Sequence, residues 1–130
     1  MRQIIFKAKR VDNCEWVDGS LLTTKYNSYI IPMHDESVEA VSNISVIPET
    51  VSQYTGLKDK NGKMIFEGDV VLNRLATEPE EKGFIIDFNG YRYVMVNVNF
   101  PNDDFYSSYL DYDSESYISK NMEIIGNIHD

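Results

Sequence analysis

The sequence predicts a mostly β fold, and three observations carry that prediction. Two Asn-Gly pairs, Asn61-Gly62 and Asn89-Gly90, each stand between short apolar runs, which is the arrangement of a tight hairpin. The chain holds nine tyrosines, six phenylalanines and one tryptophan, residue types that suit a pleated, half-buried surface. Glycine and asparagine turn signals recur between segments of period-two alternation. At 130 residues the expectation is a single domain, 1–130, with enough chain to bury a core without staples. Strand count alone leaves a barrel and a sandwich both open.

Taken in order, residues 3–10 alternate. Ile4, Phe6 and Ala8 share one face and Lys7 and Lys9 the other, so a half-buried strand is expected there. Asp12-Asn13 supplies a turn. Glu15 to Leu22 reads as the return strand, with Trp16 its largest apolar anchor and Gly19 a bulge. Tyr29-Ile30-Ile31 is a third short strand, halted by Pro32. Residues 34–43 are polar and read as a loop or a single helical turn. Ser45-Val46-Ile47 leads into the central stretch.

That stretch has the densest turn chemistry. A two-residue loop at Asn61-Gly62 sets Lys60 opposite Lys63 and Leu57 opposite Phe66; because facing lysines repel, a longer loop with a bulge is the alternative. Glu67-Gly68-Asp69 punctuates the chain again before the strand Val70-Val71-Leu72, with Gly68 as a corner where a strand can bend. Residues 73–82 are a polar loop. A second hairpin follows around Asn89-Gly90. A type I′ turn there pairs Phe88 with Tyr91, Asp87 with Arg92, Ile86 with Tyr93 and Phe84 with Met95. The aromatic and aliphatic members then share a core face. Residues 101–117 suit a short helix or a loop, and Met122, Ile124, Gly126 and Ile128 alternate as a final strand.

The run PETVSQYTGLKDKNGKMIFEGDVV, residues 48–71, resembles the signature of the YopX-like phage proteins. Ile5-Phe6-Lys7-Ala8 and Trp16-Val17-Asp18-Gly19 resemble that family's start. Glu123-Ile124-Ile125-Gly126-Asn127-Ile128-His129 resembles its end. The match spans the chain in order, with Lys9 departing where an aromatic residue is common. The resemblance implies a phage or prophage origin and an SH3-like β-barrel over residues 49–130, with an N-terminal strand pair in 1–48. It implies no activity.

Charge and composition narrow the function classes. The net charge is −9, which disfavours generic nucleic-acid binding. The charge is uneven: residues 93–119 contain no Lys or Arg, while Arg2, Lys7, Lys9 and Arg10 cluster near the start and Lys58, Lys60 and Lys63 near the first Asn-Gly pair. No apolar run is long enough to span a membrane, and residues 1–20 lack the apolar core of a signal peptide. The single Cys14 excludes an internal disulfide and suggests cytosolic residence, with the thiol expected to be buried and unreactive; the phage resemblance implies that this is the cytoplasm of a bacterial host.

Several side-chain groups invite chemical readings. Asp59-Lys60-Asn61-Gly62 looks like half of a calcium loop, but with Gly62 sixth the first and twelfth positions are Leu57 and Gly68, not carboxylates. Glu49, Asp59, Glu67 and Asp69 could converge for acid–base or metal-assisted chemistry. The plainer reading is solvated turn residues, with Asp69 accepting backbone N–H bonds at the bend. His34 and His129 have no partners at ligand spacing, and no nucleophile elbow or phosphate loop is present. No enzyme, metal or cofactor is implied. Gln53-Tyr54-Thr55 is a candidate recognition element, against the reading that Tyr54 simply packs in the core. Tyr106, Tyr109 and Tyr112, set among acids, are candidates for a protein-contact face. The expected role is a non-enzymatic module that contacts a protein partner or a second copy of itself. Nucleic-acid contact through the basic strand and the Lys58–Lys63 loop is the alternative, with a metal-assisted enzyme behind it.

Overall fold

A computed structural model describes residues 4–32, 43–77, 83–88, 92–99, 108–109 and 115–130. The fold is mostly β and antiparallel. It divides into two compact units, residues 1–54 and 55–130, each with its own core.

In the first unit β1 (Phe6–Lys9), β2 (Trp16–Thr23), β3 (Ser28–Pro32) and β4 (Ile44–Val46) lie in the order β4-β3-β2-β1. The first residues of β5 (Ser52–Lys58) add to the far side of β1. These are four strands where the sequence suggested a pair with short additions. Ala8, Ile30 and Val46 are buried together, with Phe6, Val17, Leu21, Ile44 and Val51 packed around them. The sheet curls: Val11 N–H donates to Ser45 at 3.0 Å and Ile47 N–H to Lys9 at 2.9 Å. A single bridge, Arg10 to Val46, stands between them. Pro48–Thr50 forms one 3₁₀ turn with Pro48 opening it, and the Thr50 hydroxyl accepts the Lys9 N–H at 2.8 Å.

Four expectations change here. Ile5 is buried and Ile4 exposed. The Ile5 carbonyl accepts the Tyr54 N–H at 2.8 Å, so the chain is pinned beside β5 before the regular alternation begins at Phe6. Gly19 is not a bulge. It pairs in register with Phe6 on one side and Pro32 on the other. At φ +155 an added Cβ would overlap the Ile31 carbonyl oxygen, so the requirement for glycine is close backbone approach. Trp16 is not a core anchor, because its register opposite Lys9 places it on the outward face. Cys14 is exposed. It occupies the left-handed region at φ 58 in the β1–β2 turn, where its N–H donates to Arg10 at 3.0 Å.

The second unit holds the rest of β5, then β6 (Met64–Phe66), β7 (Asp69–Asn73), β8 (Gly83–Phe88), β9 (Tyr93–Asn97), β10 (Ser108–Tyr109), α1 (Glu115–Asn121) and β11 (Met122–Asn127). One sheet runs β10-β9-β8-β7-β11. Its core is Ile65, Val71, Phe84, Ile86, Met95, Ile118 and Met122, flanked by Leu57 and Ile124. The expected SH3-like barrel is not closed by the described strands, since this sheet order has two ends, β10 and β11. Where a closing ladder would run, the turn after β5 meets β11 through one backbone bond, Lys60 N–H to Met122 at 2.8 Å, and through the side chain of Asp59.

The β8–β9 register also differs. Phe88 lies opposite Tyr93, Ile86 opposite Met95 and Phe84 opposite Asn97, a slip of two residues from the type I′ expectation. Four residues therefore connect the strands, and Asp87 faces Val94 instead of Arg92. Asn89 and Gly90 themselves lie outside the described residues. A slip of two preserves which residues face the core, because side chains alternate with period two. Phe84, Ile86, Tyr93 and Met95 are all buried. Of the segment 101–117, β10 and the start of α1 are described, and the rest lies outside the described residues.

Candidate functional site

The carboxylates come first, because acid–base and metal readings depend on them. Asp59 is buried. Its Oδ1 accepts the Asn61 and Lys63 N–H groups, both at 2.9 Å, and its Oδ2 accepts the Ile124 N–H at 3.1 Å. Asp59 N–H donates to Lys63 and Gly62 N–H returns to Asp59, so the loop between the paired residues is Lys60-Asn61-Gly62. Gly62 takes φ +79 while Asn61 does not have a positive φ. This is the three-residue hairpin with a bulged, left-handed glycine. The side chain of Asp59 selects it by capturing two loop N–H groups, and the repulsive Lys60–Lys63 pairing is avoided. Asp69 is likewise buried. Its Oδ2 accepts the Phe66 N–H at 2.8 Å and its Oδ1 the Asn127 side-chain amide at 2.9 Å. Gly68 completes that corner, donating to Ile86 at 2.6 Å and accepting from Ile128 at 2.8 Å.

Asp59 thus ties backbone to backbone, and Asp69 ties the Phe66 backbone to the Asn127 side chain. Among the described residues no group of three or more His, Cys, Asp or Glu side chains gathers as a metal would need. The Arg10–Asp12 pair, 2.7 Å apart, is solvent-facing. The Arg10 guanidinium holds the Asp12 carboxyl below the usual carboxylate range.

The recognition candidates fall in different places. Gln53, Tyr54 and Thr55 lie within β5. Tyr54 is buried, Gln53 pairs with Phe6, and the Thr55 hydroxyl donates to the Ile65 carbonyl at 2.8 Å. Tyr109 pairs with Val94 through β10. Its side chain, with Tyr106 and Tyr112, lies outside the described residues.

A surface that strand reading missed is the outward face of β1–β3. Directly opposed residues share a face, and the register opposes Lys9 to Trp16, Lys7 to Asp18, Leu22 to Tyr29 and Ser20 to Ile31. Lys7 Nζ lies 4.6 Å and Lys9 Nζ 5.5 Å from the Trp16 ring centroid, within cation–π range. The β2–β3 turn ends this face. Thr24 N–H donates to Asn27 at 2.8 Å and the Thr24 hydroxyl accepts the Asn27 N–H at 3.1 Å. Tyr26 at its tip is 81% exposed, with Lys25 Nζ 5.4 Å from its ring centroid. The signal was available in the spacing of Lys7, Lys9 and Trp16. It needed the β1–β2 register to be seen.

No helix among the described residues is long and apolar enough to cross a membrane. No match was found among curated proteins. The crystal structure of protein EF1440 from Enterococcus faecalis is similar, with a TM-score of 0.60 and 23% identity over 99% of this chain and 95% of that one. The similarity extends to the fold alone. The model of the YopX protein family matches residues 5–130, and the chain belongs to that family.

Proposed function

We propose that this protein is a non-enzymatic interaction module of phage or prophage origin, working in the cytoplasm of a bacterial host. One observation carries the reading. The chain's one tryptophan stands on an outward sheet face with Leu22, Tyr29 and Ile31, instead of in either core. Large aromatic side chains on a rigid sheet provide contact area at low entropic cost, which is why they are enriched where proteins meet. The buried carboxylates support the same reading, because Asp59 accepts three backbone N–H groups and Asp69 accepts the Phe66 N–H and the Asn127 side-chain amide. Contact with a second copy or another protein is the role that suits such a face.

Solution mass by light scattering, across protein concentration and a salt step, tests self-association. The expected result is a mass that rises with concentration in the parent chain and stays at one chain in a Trp16→Ala, Leu22→Ser variant. A variant that associates like the parent contradicts the assignment to this face. A parent that is monomeric throughout contradicts self-assembly and leaves another protein as the partner. A second reading, contact with nucleic acid, is favoured by the lysines over Trp16.

A further inference from the structure

We infer that the outward face of β1–β3 binds single-stranded nucleic acid, stacking bases on its aromatic side chains and holding phosphates with Lys7, Lys9 and Lys25. The inference rests on the reading of this face as a contact surface and assigns it a ligand class.

Charge and shape complementarity point to this ligand class. Single-stranded sites combine a cationic track for the backbone with aromatic rings on which successive bases stack. Here Trp16 at the start of β2 and Tyr29 in β3 share the outward face, and the exposed Tyr26 lies in the turn that joins the two strands. Trp16 is six residues before Leu22, which lies opposite Tyr29, so the face extends over about 20 Å at a strand's rise per residue. Lys7 and Lys9 bracket the first ring and Lys25 the last. Asp18, opposite Lys7, is the acid that the β1–β2 register places among them. An aromatic ring beneath an ammonium group is a preformed place for a base beside its own phosphate. A base sliding onto the ring exchanges one face-on contact for another, and the lysine moves to the phosphate.

The net charge of −9 opposes any polyanion at long range, so binding is expected to be weak at physiological salt and to strengthen as salt is lowered to tens of millimolar. With three phosphates held, log K should fall against log salt with a slope of about −2.

The single tryptophan makes the test direct. A twelve-residue oligothymidylate is titrated into the intact chain while Trp16 emission is followed at several salt concentrations. Saturable quenching with a slope near −2 is expected. Lys7→Gln, Lys9→Gln together should weaken binding about tenfold and reduce the slope to about −0.7, one phosphate remaining, with an unchanged circular dichroism spectrum. No quenching at low salt overturns the inference. So does equal quenching by polyglutamate, which would assign the face to an acidic protein. So does binding that ignores salt or the lysine replacements. None of these failures touches the light-scattering result, so the interaction-module reading stands or falls separately.

Discussion

The carboxylate of Asp59 accepts the backbone N–H of Ile124, 65 residues later in the chain, at 3.1 Å. The same carboxylate holds Asn61 and Lys63 of its own hairpin loop. One buried side chain therefore fixes the β5–β6 turn and ties it to the last strand.

Asp59→Ala leaves three backbone N–H groups without that acceptor. Hydrogen bonds to a charged group contribute about 1.5–3 kcal/mol each and are not additive. A loss of about 3–5 kcal/mol is expected, read as a lower denaturation midpoint at unchanged m-value. Asp59→Asn, which retains one carbonyl acceptor, should cost less.

Among the described glycines, Gly19 has the least room for a methyl group. Its Cβ would overlap the Ile31 carbonyl oxygen at a φ of +155, inside a strand paired on both sides. Gly19→Ala should lower stability by about 3 kcal/mol, measured by thermal unfolding. Gly62→Ala meets no atoms within 4 Å and should cost only the left-handed penalty of about 1–2 kcal/mol.

Cys14 supplies the opposite case. It is exposed and left-handed at φ 58. Cys14→Gly removes that strain and should raise stability by up to about 1 kcal/mol after the entropy cost of glycine. A rise in melting temperature under reducing conditions is the expected reading.

The Arg10–Asp12 pair sets a pH dependence. The Asp12 carboxyl is held below its ordinary value chiefly by its hydrogen bond with Arg10. A depressed folded-state value means the pair's contribution is present above the unfolded-state value and is lost as pH falls through the folded one. The pair is exposed to solvent, so the effect on stability is small. A carbon-detected titration should show Asp12 ionising at lower pH than a free aspartate, and Arg10→Gln should return it to the ordinary range.

Much of the strand order was legible because alternation survives errors of register. The β8–β9 core face was legible for Phe84, Ile86, Tyr93 and Met95 although the pairing slipped by two, since parity survives the slip, whereas Phe88, expected on the same face, is exposed at the strand end. The β5–β6 loop was legible as the alternative to the Asn-Gly turn, because the lysine repulsion favoured it. Trp16 was misplaced for a different reason. In β2 both alternating sets contain apolar residues, Trp16 and Leu22 in one and Val17 and Leu21 in the other, and only pairing with Lys7 and Lys9 decides which turns outward. Whether the strands close into the expected barrel was not legible in the pattern, because closure depends on which strand ends meet. Here a side chain, Asp59, joins elements that a backbone ladder would otherwise connect.

The most direct test of the contact face is collisional quenching of Trp16 emission in the unliganded protein. An outward Trp16 should give solvent-shifted emission, quenched more efficiently by iodide than by caesium, because Lys7 and Lys9 lie over the ring and raise the local anion concentration. Blue-shifted emission that neither ion quenches would put Trp16 in a core and contradict the outward face on which the functional reading rests.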